Sequence, residues 1–72
     1  MPEFVLNNNM QPNGDYEVHN KSAGCLWMPR PENRTHLGQF NDCQTAVLAA
    51  KLRRFSDSIN GCRFCCPDCH TS

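Results

Sequence analysis

The sequence predicts a small α+β domain with a short β-hairpin, one α-helix and a C-terminal cysteine knuckle. Length is the first reason, because a chain of 72 residues with 39% apolar residues buries only a modest core. Folds of this size commonly depend on a metal ion, disulfides or a partner. The second reason is the six cysteines, which exceed what packing alone requires and predict crosslinking through metal or sulfur. The third is a single alanine-rich segment with helical periodicity.

The first part of the chain has the composition of a flexible tail. Residues 1–14 are rich in Asn, Gln, Pro and Gly, and the strings NNN and PNGD are turn or coil signals. We therefore assign residues 1–14 to a flexible tail and residues 15–72 to a single small cysteine-rich domain.

Two strands are predicted within this domain, and together they form the hairpin. The string DYEVH (residues 15–19) alternates, with Tyr16 and Val18 on one face. The string THLGQF (residues 35–40) predicts the second strand, with Leu37 half-buried. Two prolines in the connecting segment exclude a helix interior from it.

The segment CQTAVLAAKLRRF (residues 43–55) predicts the helix. Its alanines favour helix formation, and the Asn–Asp pair directly before it offers an N-cap side chain. Leu48, Leu52 and Phe55 recur at i, i+4 and i+7, so we expect this apolar stripe to pack across the strands.

The string GCRFCCPDCH near the C-terminus contains two overlapping pairs, Cys62-x2-Cys65 and Cys66-x2-Cys69. A Cys-x2-Cys turn separates two thiolates by about the distance between two corners of a zinc tetrahedron, and its N–H groups stabilise the sulfur charge. One pair supplies only half of a tetrahedral site. The remaining ligands must therefore come from elsewhere in the chain.

The natural partners lie in VHNKSAGC, where a histidine ends the first strand and a cysteine follows a turn. Histidine and cysteine are both good zinc ligands, so a Cys₃His site for Zn²⁺ is predicted. An ordinary exposed histidine at the end of a strand is the alternative for the first of these residues. The candidate metal ligands are His19, Cys25, Cys62, Cys65, Cys66 and Cys69, and the spacing leaves open which four bind.

Disulfides are the principal alternative to a metal. Six is an even number of cysteines, and adjacent cysteines are familiar in small secreted proteins. Mixed states, with one zinc ion plus one disulfide or free thiols, also fit the pattern. Cys43 lies in the first helical turn, where the helix dipole makes a thiol more reactive. A small apolar side chain facing the sheet is the simpler interpretation of Cys43, and we expect no enzymatic activity.

The order of these motifs resembles the metal-binding domain of Ada-type DNA-repair proteins. The resemblance covers residues 16–70 and implies a single structural zinc ion. In the repair protein a zinc-bound cysteine accepts a methyl group from a DNA phosphotriester, and Cys25 would be that cysteine here. The wider spacing of the first ligand pair and the doubled Cys-x2-Cys favour inheritance of the zinc-stapled scaffold alone. The matching positions are His19, Cys25, Pro31 to Arg34, Phe40, Ala46 and the cysteines of residues 62–69.

The charge balance and the hydropathy of the chain disfavour two classes of protein, nucleic-acid binders and membrane-spanning proteins. Seven basic and seven acidic side chains balance, which disfavours a strongly electrostatic nucleic-acid binder. No segment approaches the roughly 20 apolar residues of a membrane span. The N-terminus lacks the features of a signal peptide, so we expect a cytoplasmic protein with reduced thiols.

The first hypothesis for function is a non-catalytic zinc-binding mini-domain that presents a surface to a partner, with a protein partner favoured over nucleic acid. Trp27 and Met28 are the predicted contact residues, although Trp27 would serve equally well as a cover for the core. The alternatives are a secreted, disulfide-stapled effector or toxin-like module and an Ada-like methyl acceptor.

Overall fold

A four-stranded mixed sheet organises the chain. The computed structural model describes residues 1–12, 14–26, 28–54 and 58–70. The strand order is β3-β1-β2-β4, with β1 antiparallel to both of its neighbours and β2 parallel to β4. The predicted α+β class is confirmed, but the hairpin is formed by β1 and β2 and not by the two predicted strands. Within the described residues the elements are β1 (Glu3–Asn7), β2 (Asp15–Asn20), β3 (Arg34–Gln39), α1 (Cys43–Arg53) and β4 (Ser58–Gly61).

β1 lies in the middle of the sheet, so the prediction of a flexible tail over residues 1–14 is wrong for this strand. Phe4, Val5 and Leu6 are all buried. Three consecutive apolar residues suit a central strand because both of its faces are covered. β1 also separates β2 from β3, the two strands that were predicted to pair with each other.

α1 packs against one face of the sheet through small residues. Asp42 is the N-cap, and its Oδ1 accepts a hydrogen bond from the Thr45 N–H at 2.9 Å. The buried helix positions are Cys43, Ala46 and Ala50. They join a cluster whose sheet members are Phe4, Leu6, Val18 and Leu37.

The predicted apolar stripe of α1 does not face the sheet. Leu48 is 61% exposed and Leu52 is 82% exposed, whereas Phe55 lies outside the described residues. The helix instead turns its small side chains inward, which brings its backbone close to the strands. Among the described residues, no helix has the length and apolar character needed to cross a bilayer.

The two faces of the sheet have different side chains because residues alternate along a strand. Val18 belongs to the cluster under α1, so its neighbour His19 points to the opposite face. Val5 is the cross-strand partner of His19 and shares this second face. Both Val5 and His19 are fully buried. The second face is where the candidate site forms.

Candidate metal centre

Sheet topology brings the two main parts of the site together. β2 and β4 are parallel neighbours, and Val18 pairs with Gly61. The residues that follow these two, His19 and Cys62, therefore emerge side by side at the same end of the sheet. The N–H of Cys62 donates to the Val18 carbonyl oxygen at 2.9 Å, which extends the pairing by one step.

The third part of the site is the turn after β2. Asn20 caps a short 3₁₀ turn (Lys21–Ala23), with its side chain accepting from the Ser22 N–H. Gly24 ends this turn in the left-handed conformation, with φ of 69°. The chain then reverses and returns Cys25 to the ring of His19. A residue without Cβ adopts this φ at little cost, which explains the glycine directly before the cysteine.

Four ligand atoms, from His19, Cys25, Cys62 and Cys65, all lie within 4.8 Å of one another. The Sγ atoms of Cys25 and Cys62 are 3.7 Å apart. His19 Nδ1 lies 3.8 Å from Cys25 Sγ and 3.6 Å from Cys65 Sγ. These are the candidate ligands that the structure brings together.

The separations agree with the edges of a zinc tetrahedron. With Zn–S bonds of about 2.3 Å and Zn–N bonds of about 2.0 Å, a tetrahedral ion places two sulfurs about 3.8 Å apart and a sulfur and a nitrogen about 3.6 Å apart. The three separations above, 3.6 to 3.8 Å, fit this geometry. A disulfide would instead require sulfurs about 2.05 Å apart. The four groups are therefore positioned to bind a metal ion.

Backbone N–H groups point at the sulfurs. The N–H groups of Phe64 and Cys65 donate to the Cys62 sulfur, and the Asn20 N–H donates to Cys65 Sγ at 3.3 Å. The Cys66 N–H closes the turn by donating to the Cys62 carbonyl oxygen at 2.8 Å. Such donors stabilise a thiolate over a thiol. This is the local geometry for which the Cys-x2-Cys spacing was predicted to be suited.

Without a metal, the buried thiols of the site hold their protons. Burial raises the pKa of Cys62 to about 12. A hydrogen bond to Cys66, followed by burial, raises the pKa of the Cys65 thiol. A metal ion that binds here must therefore displace these protons, as metals do at thiolate sites generally.

His19 is held in the form that a metal requires. Burial, with a smaller contribution from the Arg34 charge, lowers the pKa of His19 to about 4, so the ring is neutral at pH 7. Its Nδ1 faces the cysteines, while its Nε2 is buried and has no hydrogen-bond partner. Glu17 Oε1 is 3.8 Å from that Nε2. Burial raises the pKa of Glu17, and the nearby His70 charge opposes this shift.

Cys66 and Cys69, the other two predicted ligands, are not among the four groups that converge. Cys69 forms a disulfide with Cys43, so its predicted role as a metal ligand is wrong in this structure. Cys66 is a buried free cysteine in the cluster under α1, and it shares a hydrogen bond with Cys65. Both cysteines of the first Cys-x2-Cys pair therefore belong to the candidate site, whereas both cysteines of the second pair pack toward the helix.

The disulfide also decides between the two interpretations of Cys43. Its side chain is buried under the helix, as the simpler interpretation predicted, and its sulfur is bonded to Cys69. The pairing of these two residues was missed. The even number of cysteines was the only signal for it, since residues 26 apart in sequence carry no spacing pattern. The described part of the chain therefore has one disulfide beside four groups that could hold a metal ion.

Comparisons with known proteins leave the function to be argued from this geometry. No protein-family model, curated protein or solved structure matches the chain. The resemblance to the Ada-type domain therefore stays a prediction.

Proposed function

We propose that the protein is a non-catalytic mini-domain in which His19, Cys25, Cys62 and Cys65 hold one structural Zn²⁺ ion, and that its surface serves an interaction with a protein partner. The observation that carries the metal assignment is the convergence of four ligand atoms to within 4.8 Å of one another. Three sulfurs and one imidazole nitrogen arranged along tetrahedral edges are the ligand set of structural zinc sites.

Ligand chemistry favours zinc over other ions. Thiolates select soft or borderline metals, and tetrahedral sulfur–nitrogen geometry is typical of Zn²⁺, whereas Ca²⁺ and Mg²⁺ require oxygen ligands. Four protein ligands fill the tetrahedron and leave no position open for water or substrate. Catalytic zinc sites keep such a position. The filled ligand set therefore supports a structural role.

The ion would act as the core of the second sheet face. Among the described residues, no α-helix covers that face. Few side chains are buried on it, and Val5 and His19 are two of them. The turn after β2 brings Cys25 Sγ to 3.8 Å from His19 Nδ1 on this face. A zinc ion that joins β2, this turn and the turn after β4 would supply the crosslink that a small apolar core does not.

The interaction role rests on what the surface offers. The formal charge is zero, and three thiolates binding one Zn²⁺ add net negative charge, which supports a protein partner over nucleic acid. Met28, one of the predicted contact residues, is partly buried. Trp27 lies outside the described residues. The exposed apolar residues of α1, Leu48 and Leu52, are a stronger candidate surface.

Metal content and ligand identity test the proposal together. Native mass spectrometry of protein purified without reductant should give one zinc ion and one disulfide per chain. Substitution with cadmium should give ¹¹³Cd coupling to the β-protons of Cys25, Cys62 and Cys65 and to the ring of His19. The matched control is Cys66→Ala, which removes an adjacent sulfur and should leave the stoichiometry at one.

Two outcomes would contradict the proposal. A metal-free protein whose mass shows a second disulfide would mean that Cys25 and Cys62 pair with each other. Loss of zinc in the Cys66→Ala variant together with retention in a Cys25→Ser variant would mean that the ligand set is a different one.

A further inference from the structure

The solvent-exposed side of α1 carries two leucines. Leu48 is the central residue of the helix Cys43–Arg53, and it is 61% exposed. Leu52 follows one turn later and is 82% exposed. Residues four apart on a helix lie one above the other, so these two leucines form a ridge. The ridge is not used by the sheet or by the metal site.

A groove runs beside this ridge. It has a volume of about 390 Å³ and lies between α1, β4 and the 3₁₀ turn Pro67–Cys69. Its apolar lining residues are Val47, Leu48, Ile59 and Cys69. A ridge of leucines beside an apolar groove is a surface that another copy of itself complements, because each ridge fills the other groove. Two-fold symmetric interfaces have this property.

Charge along α1 sets the direction of such a pairing. The N-terminal end of the helix carries Asp42 and, on the neighbouring turn, Asp68. The C-terminal end carries Lys51 and Arg53. An antiparallel pair of helices places the acidic end of each copy against the basic end of the other, and the helix dipoles also oppose. A parallel pair would place like charges together.

We propose that a second copy of this chain docks on the α1 face, in a two-fold antiparallel pair with the two Leu48 side chains at the axis. Lys51 and Asp68, which both line the groove, then meet the partner's Asp68 and the partner's Lys51. Within the described residues, neither of the two side chains forms an ion pair in the single chain. The inference rests on the proposed interaction role and names its partner, but it does not depend on the zinc ion.

Sedimentation equilibrium on the zinc-loaded full chain tests the pairing. The wild-type protein should show a concentration-dependent monomer–dimer equilibrium. Leu48→Asp should raise the dimer dissociation constant at least about 30-fold, as expected for a side chain at the centre of an interface. Leu48→Gln, which preserves helix propensity, should act in the same direction. Met10→Asp changes another exposed apolar residue outside this face and should have no effect.

A charge swap distinguishes a second copy from any other occupant. Lys51→Glu and Asp68→Lys should each weaken the dimer about 10-fold by placing like charges across the axis, and the double variant should restore it to within about 3-fold. Amide dispersion in NMR spectra would verify that each variant is folded.

A wild-type protein that stays monomeric to millimolar concentration would overturn the inference, as would a double variant that is weaker than either single variant. A monomer that binds a different protein through Leu48 would also overturn it. A dimer with the predicted charge-swap behaviour in a chain that binds no zinc would leave this inference standing and refute the metal proposal. A zinc-bound monomer would do the opposite.

Discussion

Removing the metal while keeping the disulfide intact tests the central claim most directly. Cys25 and Cys62 are 37 residues apart, and the ion would hold their sulfurs together. Closing an unfolded loop of this length costs about 4 kcal/mol in chain entropy. A folded domain of 72 residues typically has a free energy of unfolding of about 4–11 kcal/mol. The crosslink alone is therefore comparable to the whole stability of the chain.

Urea unfolding of one preparation, zinc-loaded and then stripped with a chelator, measures this difference. No reductant is added, so that the Cys43–Cys69 bond stays in place. The free energy of unfolding should fall by about 4 kcal/mol. Near-UV dichroism and amide dispersion should decrease together. The matched control is Cys25→Ser, in which the chelator should change little because the site is already broken.

An unchanged urea midpoint after stripping would refute the reasoning, provided that the metal analysis shows a metal-free sample. A loss of stability that is equally large in the Cys25→Ser variant would also refute it, because the chelator would then be acting elsewhere. Reduction of the disulfide is a separate perturbation. The disulfide closes a loop of 26 residues. Its removal should therefore lower the free energy of unfolding by about 3.5 kcal/mol.

Three further predictions follow from contacts around the site. Burial raises the pKa of the Cys62 thiol, and a hydrogen bond to Cys66, followed by burial, raises that of Cys65. Zinc binding should therefore release at least two protons, and the affinity should fall at least about 100-fold from pH 7 to pH 6 in a competition assay; a pH-independent affinity would contradict this. Glu17 Oε1 is 3.8 Å from His19 Nε2, and a small movement would let it accept a hydrogen bond from the ring of a metal-bound His19. Glu17→Ala should therefore weaken zinc binding about 10-fold, and Glu17→Gln, which keeps an acceptor, should recover most of the loss; equal losses in both variants would argue against this role. Gly61→Ala should lower the free energy of unfolding by roughly 1–3 kcal/mol, because a Cβ there would lie 2.5 Å from the Cys69 side chain. An unchanged melting temperature in calorimetry would exclude that close approach.

The elements with a strong local pattern were predictable, and those fixed by tertiary contacts were not. β2 alternates and α1 has both a cap and high propensity, and both form where expected. β1 has a clear apolar run, but the polar residues after it suggested a tail, and only its central place in the sheet explains the run. β4 has a single apolar residue, Ile59, and forms because it pairs alongside β2.

Periodicity selected the wrong side of the helix for a physical reason. The stripe containing Leu48 and Leu52 is the more apolar one, and a rule based on hydrophobicity chooses it. The helix instead packs through Ala46 and Ala50, because small residues allow close approach to the strands and a disulfide fixes its first turn to the C-terminal segment. Sequence alone does not contain that distance constraint.

The candidate site was predictable in its composition but not in its choice of cysteines. His19, Cys25 and one Cys-x2-Cys pair were expected to converge, and these are the groups that the structure brings together. The two overlapping pairs have identical spacing, so sequence could not distinguish them. The distinction comes from topology, since Cys62 directly follows the last residue of β4 that pairs with β2, whereas Cys69 lies where it can reach Cys43.

The segment after β4 contributes to both the candidate site and the disulfide. β4 is only four residues long and lies at the edge of the sheet, so its own ladder hydrogen bonds hold it weakly. Cys62, directly after it, belongs to the candidate site with His19, and Cys69 forms the disulfide to α1. A metal ion bound at the site would therefore hold β4 against β2 at one point, while the disulfide holds the following segment against the helix at another. Of the two adjacent cysteines, Cys65 is a candidate ligand, whereas Cys66 is buried in the cluster under α1 and forms neither crosslink.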